Sequence, residues 1–292
     1  MIGILLALAS AAGYGVSDFV GGIASRRVAA LRVVLVSYPV AMVLLAVLAV
    51  IVGGDISRGA VLWGGLCGVS QAFGVWWFYA ALGSGPISVV SPLTAVLVAG
   101  LPVGVGLVLG ERPGIVAAVG ILVALVAVVL VSREATDEPL ARGESGTDED
   151  VRSHRFTTTV AWLTVGAGLA FGFNFVLIDQ APAEAGLWPL VFARVAATVL
   201  VVTIAAVSGQ LRVPTGAPLK LALLAGVLDT GANVAMLLAL HASLLSLAGV
   251  LMSLYPAATV LLAIVVLRER VTRWQALGMV LALAAVAMIA AG

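Results

Sequence analysis

The sequence predicts an all-α polytopic membrane protein of ten transmembrane helices, arranged as two inverted five-helix repeats. Three observations lead there. Of 292 residues, 62% are hydrophobic and only 10% charged, against about 45–50% apolar and about 25% charged in a soluble globule. The chain also divides into ten apolar windows of about 20 residues, the length that crosses a hydrocarbon core of about 30 Å at about 1.5 Å per residue. Finally, the hairpin that closes the chain occurs twice. With Glu111 laid on Glu269, Ser88 falls on Ser246, Leu93 on Leu251, Ala99 on Ala257, Arg112 on Arg270, Gly120 on Gly278 and Ala124-Leu125 on Ala282-Leu283, without a gap. The chain is a duplication.

The windows run 2–24, 33–52, 60–82, 86–109 and 113–131, then 158–180, 187–208, 219–240, 244–267 and 273–291. The first, MIGILLALASAAGYG onward, lacks the basic start of a cleaved signal peptide and reads as a spanning helix. The first repeat is thus 1–131 and the second 158–292. Between them, 132–157 is rich in charge, Gly, Ser and Pro and reads as a solvated linker. Five crossings are an odd number, so the second copy enters the membrane upside down, as in secondary transporters whose substrate site lies near the midplane between halves. Twelve of the 15 Lys and Arg lie in the odd-numbered loops. The positive-inside rule then places those loops in the cytoplasm and both termini outside.

Composition excludes several classes. A net charge of +1 with no basic stripe gives no nucleic-acid signal. The single cysteine, Cys67, allows no disulfide framework. Two histidines, His154 in the linker and His241 at the end of the eighth window, no Gly-x-Ser-x-Gly elbow and no metal-ligand spacing argue against an enzyme. No cofactor is implied.

In a membrane, an ionisable group far from the helix ends marks function, because Asp at a helix centre costs about 2.5–3.5 kcal/mol on insertion scales. Asp229 lies at the middle of the eighth window, and Gly226, Asp229, Thr230 and Asn233 share one helical face. A buried carboxylate there can carry a proton, bind a substrate ammonium, or only join neighbouring helices. The repeat lays Asp229 on Gln71 of the third window, so both copies put a polar residue at the same depth; Trp76, Trp77 and Tyr79 follow, as substrate-stacking groups or as packing bulk. The first window has a second polar face, Tyr14, Ser17, Asp18 and Gly21, and laying Gly15 on Gly172 lays Ser17 on Asn174 of the sixth. Asp18, nearer the helix end, is a candidate coupling group, with reaching interfacial water or pairing to Arg26, Arg27 or Arg32 as the plainer accounts. Arg32 and Arg194 open the second helix of each copy; Arg194, the deeper, is suited to neutralise a carboxylate or hold a substrate carboxylate.

The fourth window carries Pro92, Pro102 and a small-residue ladder, Gly100, Gly104, Gly106 and Gly110, while the ninth carries Tyr255-Pro256. Small residues four apart allow close helix approach and internal prolines permit bending, so these two helices are expected to form a packed, flexing seam.

Each copy closes on a Glu-Arg corner (Gly110-Glu111-Arg112-Pro113 and Arg268-Glu269-Arg270-Val271), with Pro256 upstream of the second and Gly120 and Gly278 in the following helices. This twice-repeated pattern over ten helices resembles the EamA-type branch of the drug/metabolite transporter superfamily, across nearly the whole chain outside 132–157. The resemblance implies a secondary transporter or exporter of small metabolites, amino acids or drugs in the cell membrane. It implies a central cavity lined mainly by helices 1, 3, 4, 6, 8 and 9, which brings in Tyr255. It also implies cytoplasmic termini, opposite to the Lys/Arg count. The first copy departs from the pattern with Val98 where the second has Pro256. The expected partners are a small-molecule substrate, the lipid bilayer and, as candidate coupling ion, protons.

Overall fold

The computed structural model describes residues 2–25, 27–84, 87–132, 157–267 and 272–291, and every regular element among them is helical. In the first half these are α1 (Ile2–Ser25), α2 (Ala30–Val52), α3 (Arg58–Ser84), α4 (Ile87–Val108) and α5 (Ile115–Ser132). In the second they are α6 (Thr158–Asp179), a 3-10 turn (Ala183–Ala185), α7 (Trp188–Val207), α8 (Ala217–Ala242), α9 (Leu245–Met252), α10 (Tyr255–Leu267) and α11 (Arg273–Ala291). Five of them, α1, α2, α6, α7 and α8, are long and apolar enough to cross a membrane; the apolar stretches 93–108, 115–130, 245–259 and 273–289 are shorter. Most of the linker, 133–156, lies outside the described residues.

The ninth window, expected as one helix, is two. Ser253 and Leu254 form a turn between α9 and α10, in which the N–H of Leu254 and of Ala257 reach back only three residues, to Leu251 and Leu254 (3.2 and 2.9 Å). Pro256 has no N–H for the carbonyl of Met252, and the Ser253 hydroxyl donates to Gly249 O at 2.7 Å. In the first half, Ala95 and Val98 hold the equivalent places and α4 is continuous through them.

The two halves pack against each other reciprocally. The first helix of each half lies along the third helix of the other: α1 along α8, and α6 along α3. Both pairs are antiparallel. In the first, Gly3 meets Ser243 and the hydroxyls of Ser10 and Ser17 donate to Ala232 O and Ala225 O (2.9 and 3.0 Å). In the second, Asn174 Nδ2 donates to Cys67 O at 3.3 Å, Ser70 Oγ to Ala170 O at 2.7 Å, and Trp77 lies against Gly166. The offsets that align the copies put Ser17 on Asn174 and Cys67 on Ala225, so the bonds from Ser17 and from Asn174 are the same bond made twice.

A second contact repeats in the same way. A Cβ on Gly15 would stand 2.7 Å from Tyr255 O and 2.5 Å from Ala258 Cβ. A Cβ on Gly172 would stand 3.2 Å from Leu97 O and 2.8 Å from Leu101 Cβ. Leu97 aligns with Tyr255 and Leu101 with Thr259. Glycine at both places lets α1 approach α10, and α6 approach α4, at backbone distance. Elsewhere α2 packs on α7 and α8, α3 on α7, and α5 on α11.

One end of the bundle is interlocked. Asp55 N donates to Glu184 O at 3.0 Å, Gly54 lies on the backbone of Ala185 and Gly186, and Gly59 lies on the Pro182 ring. Beside them Gly3 is pressed on Ser243. At the other end Gly21, Gly22, Gly209 and Gly216 have nothing within 4 Å of an added Cβ among the described residues. A cleft of about 400 Å³ opens there among Ala29, Leu31, Trp76, Ala80, Ile204 and Ser208. This open end carries Arg27, Arg32, Arg212 and Lys220.

Candidate functional site

The polar centre of the bundle is built on Arg194, the seventh residue of α7 and only 1% exposed. Its Nη2 forms an ion pair with Asp229 Oδ2 of α8. Its Nη1 donates to Gln71 Oε1 of α3 at 3.4 Å, and its Cζ sits 4.6 Å from the centre of the Tyr38 ring of α2. Gln71 is the midpoint residue of α3 and Asp229 that of α8. Helices of about 40 Å at about 1.5 Å per residue place both near the centre of a bilayer.

The repeat superimposes Gln71 on Asp229, and here the two equivalent helices grip one guanidinium from opposite halves. Arginine suits the position because its planar fork serves two acceptors while a tyrosine face covers it. Under the same offset Arg194 falls on Val36, so the cation comes from the second half alone.

The rest of the α8 face is less available. Thr230 Oγ1 donates to Gly226 O at 2.8 Å and Asn233 Nδ2 to Asp229 O at 2.7 Å, both one turn back on their own helix. Gly226 meets Ser37 O of α2.

On α1, Ser17 is spent on Ala225 O, so it joins helices rather than lining a site, as Asn174 does on α6. Tyr14 Oη donates to Met236 Sδ at 3.4 Å and lies in electrostatic reach of Arg194 and Asp229. Asp18, one turn further, is exposed, has no hydrogen bond or ion pair among the described residues, and interacts through space with Asp229 and Tyr255. The expected pairing with Arg27 or Arg32 is not made, and Arg26 lies outside the described residues.

Other expected residues fall elsewhere. Trp76 lines the cleft at the open end, and Trp77 packs on Gly166 with its ring 5.3 Å from that of Phe73. Both are removed from the arginine because they lie more than one turn beyond Gln71. The side chains of Tyr79, Pro92 and Pro256 lie outside the described residues.

The glycine ladder of α4 packs only in part. Gly106 lies beside the Glu111 carboxylate and Ser246 of α9, Gly100 and Gly104 have no described atom within 4 Å of an added Cβ, and Gly110 turns the chain at φ +93°. The expected contact of α4 with α9 is made by Pro102 against Gly249 and by Gly106 against Ser246. Small residues four apart mark any thin face, whether a helix or open space lies over it.

Two functional-looking groups were not singled out by sequence. Tyr38 sits beside Pro39 in an apolar window, with no polar periodicity to flag it. Glu111 was visible as a corner motif without a role. Its carboxylate accepts from Leu245 N at 2.6 Å and Ser246 N at 3.0 Å, the free N–H groups that open α9 in the other half. Gly110 aims it: the N–H of Glu111 returns to Gly106 O and that of Gly110 to Leu107 O (2.9 and 3.1 Å), a left-handed helix stop that glycine adopts without strain.

Among solved structures, 28 chains match, and one, a crystal structure, superposes with a TM-score of 0.73 over 98% of this chain and 96% of that chain at 16% identity. That likeness shows the fold. No curated protein matches. The model of the EamA-like transporter family matches twice, over residues 1–133 and 158–291. The chain therefore belongs to the EamA-like transporter family, within the drug/metabolite transporter superfamily, and is a multi-pass membrane protein of transporter type.

Proposed function

We propose that the chain is a secondary transporter that moves small metabolites, amino acids or drugs across the cell membrane by alternating access. It crosses the bilayer ten times, as two inverted five-helix repeats, and binds substrate between them at mid-depth. The carrying observation is the Arg194–Asp229 pair with Gln71 joined to it from the other half. Burying an ion pair in hydrocarbon stabilises little compared with an apolar packing of the same volume, so its place at the meeting point of the halves fits a working part. Inversion is supported by the antiparallel packing of α1 on α8 and of α6 on α3: copies inserted the same way up would run parallel there.

Alternating access is supported by the contrast between the ends, one interlocked through Asp55–Glu184 and Gly3–Ser243, the other without such contacts at Gly21 and Gly22 among the described residues. Protons are the proposed coupling ion and Asp229 the proposed coupling group, since a proton on its carboxylate would release Arg194. The test is flux in proteoliposomes under an imposed pH gradient, wild type beside Asp229→Asn, over a panel of amino acids and amphipathic drugs. Gradient-driven flux lost in the variant is expected. Wild-type coupled flux in Asp229→Asn would remove that role, and flux indifferent to the gradient would make the protein a facilitator.

A further inference from the structure

One row of α1 records how the interior opens. Ala7 and Ala11 are buried (0% and 5% exposed), Tyr14 is half-buried, and Asp18 and Gly22 are exposed. These residues recur every three or four positions and so share a face. It is not the lipid face, because Ile2 and Leu5, about 140–160° round the helix from Asp18 at 3.6 residues per turn, are the outward-facing apolar residues, 69% and 63% exposed. Ser10 and Ser17 fix one edge of the row to α8, and Gly15 fixes the other to α10. The row between them faces inward, buried at Ala7 and Ala11 and, among the described residues, exposed from Asp18 onward.

Among the described residues the charges on that face do not balance. Arg194 is matched by Asp229. Asp18 is left with no hydrogen-bond partner, and the described charge that acts on it is the like charge of Asp229; no described cation offsets it. Around it stand two aromatic groups, Tyr14 on the same face and Tyr255 at the start of α10, which lies in electrostatic reach of Asp18. Gly21 and Gly22 have no described atom within 4 Å of an added Cβ. A carboxylate with no counter-charge among the described residues, on an inward face with tyrosines in electrostatic reach, is complementary to a cation with an apolar body.

We propose that Asp18 accepts the charged nitrogen of an organic monocation, and that amines carrying an aromatic or apolar body are the substrate class, bound between α1, α8 and α10 with Tyr14 and Tyr255 against the body. This rests on the transport reading and divides its labour: Arg194 and Asp229 close on each other, while Asp18 receives the solute. Zwitterions are the poorer ligands, since Arg194 is already engaged and offers their carboxylate no free partner.

The test is calorimetric binding to the purified full chain in detergent, using phenethylamine, 2-phenylethanol and phenylacetate, which share a ring and differ in charge. Wild type is expected to bind the amine at least about tenfold more tightly than the alcohol or the carboxylate, as for a charge-assisted contact. Asp18→Asn loses that preference and Asp18→Glu keeps part of it. The proposal is overturned by absence of amine binding to wild type, by equal binding of phenylacetate, or by an Asp18→Asn variant within about threefold of wild type. The wild-type comparison stands even where a variant fails to fold. Flux of phenethylamine in liposomes separates the two readings. Binding lost in Asp18→Asn with no flux in wild type supports the site and overturns transport, whereas amine flux unchanged by Asp18→Asn keeps transport and overturns the site.

Discussion

Gln71 and Asp229, the two positions that the internal repeat superimposes, hold the same arginine. The site is thus symmetric in its acceptors and asymmetric in its donor. Removing Arg194 leaves Asp229 buried without a counter-ion, and Arg194→Leu is expected to destabilise by about 3–5 kcal/mol. Replacing both, Arg194→Leu with Asp229→Leu, removes the orphaned charge and should recover most of the loss without restoring transport. Thermal unfolding of the purified variants decides it: a double variant no more stable than the single one would show that the pair is not the coupled unit described here.

The two repeated glycine contacts make a sharper test of the fold. Gly15→Ala and Gly172→Ala each place a methyl against the neighbouring helix, 2.5 Å from Ala258 Cβ and 2.8 Å from Leu101 Cβ. Overpacking of this kind costs about 1–3 kcal/mol. Gly100→Ala and Gly104→Ala meet no described atom within 4 Å, and alanine is the better helix former by about 1 kcal/mol, so these variants are expected to be neutral or slightly stabilising. Equal effects of all four on thermal stability would contradict the packing.

Much of this arrangement was legible in the sequence, and the remainder was not for definite reasons. The repeat, the windows and the mid-depth polar residues Gln71 and Asp229 follow from length and periodicity, which are local properties. The partner of Asp229 lies 35 residues away on another helix, and no local pattern ties an arginine to one carboxylate rather than another. Tyr38 reads as bulk until Arg194 is seen beneath it. Gly15 and Gly172 are visible only as alignment anchors, while Gly100 and Gly104, the more conspicuous pair, have no described neighbour within 4 Å of an added Cβ. The break between α9 and α10 was hidden because an apolar window averages over two residues of turn.

The Glu111 clamp predicts a change in access at the interlocked end. Glu111→Gln removes the charge and one of two acceptors for the α9 N–H groups, and hydrogen bonds to a charged group contribute about 1.5–3 kcal/mol each. Ser243, beside Gly3 at that end, reports the result when replaced by cysteine. Maleimide labelling of Ser243→Cys should rise several-fold on adding Glu111→Gln, with the buried Cys67 as the blank. An unchanged rate would confine Glu111 to capping α9.

The last prediction concerns the one place where the halves differ in backbone. Pro102 sits inside α4 without breaking it, so proline alone does not explain the turn at Ser253–Leu254. The second half adds Ser253, whose hydroxyl and backbone N–H both donate to Gly249 O (2.7 and 3.0 Å), a back-bond that weakens or bends a helix. The first half has Ala95 and Val98 in the matching places. Converting the second half to the first, Ser253→Ala with Pro256→Val, should join α9 to α10 and raise thermal stability by about 1–3 kcal/mol, since a helix-interior proline costs about 3 kcal/mol. If the turn is where this half bends during access, the same double variant binds substrate as wild type does but carries it more slowly. Faster unfolding, or flux equal to wild type in a variant of raised stability, would show that the break is neither the product of these two residues nor a hinge.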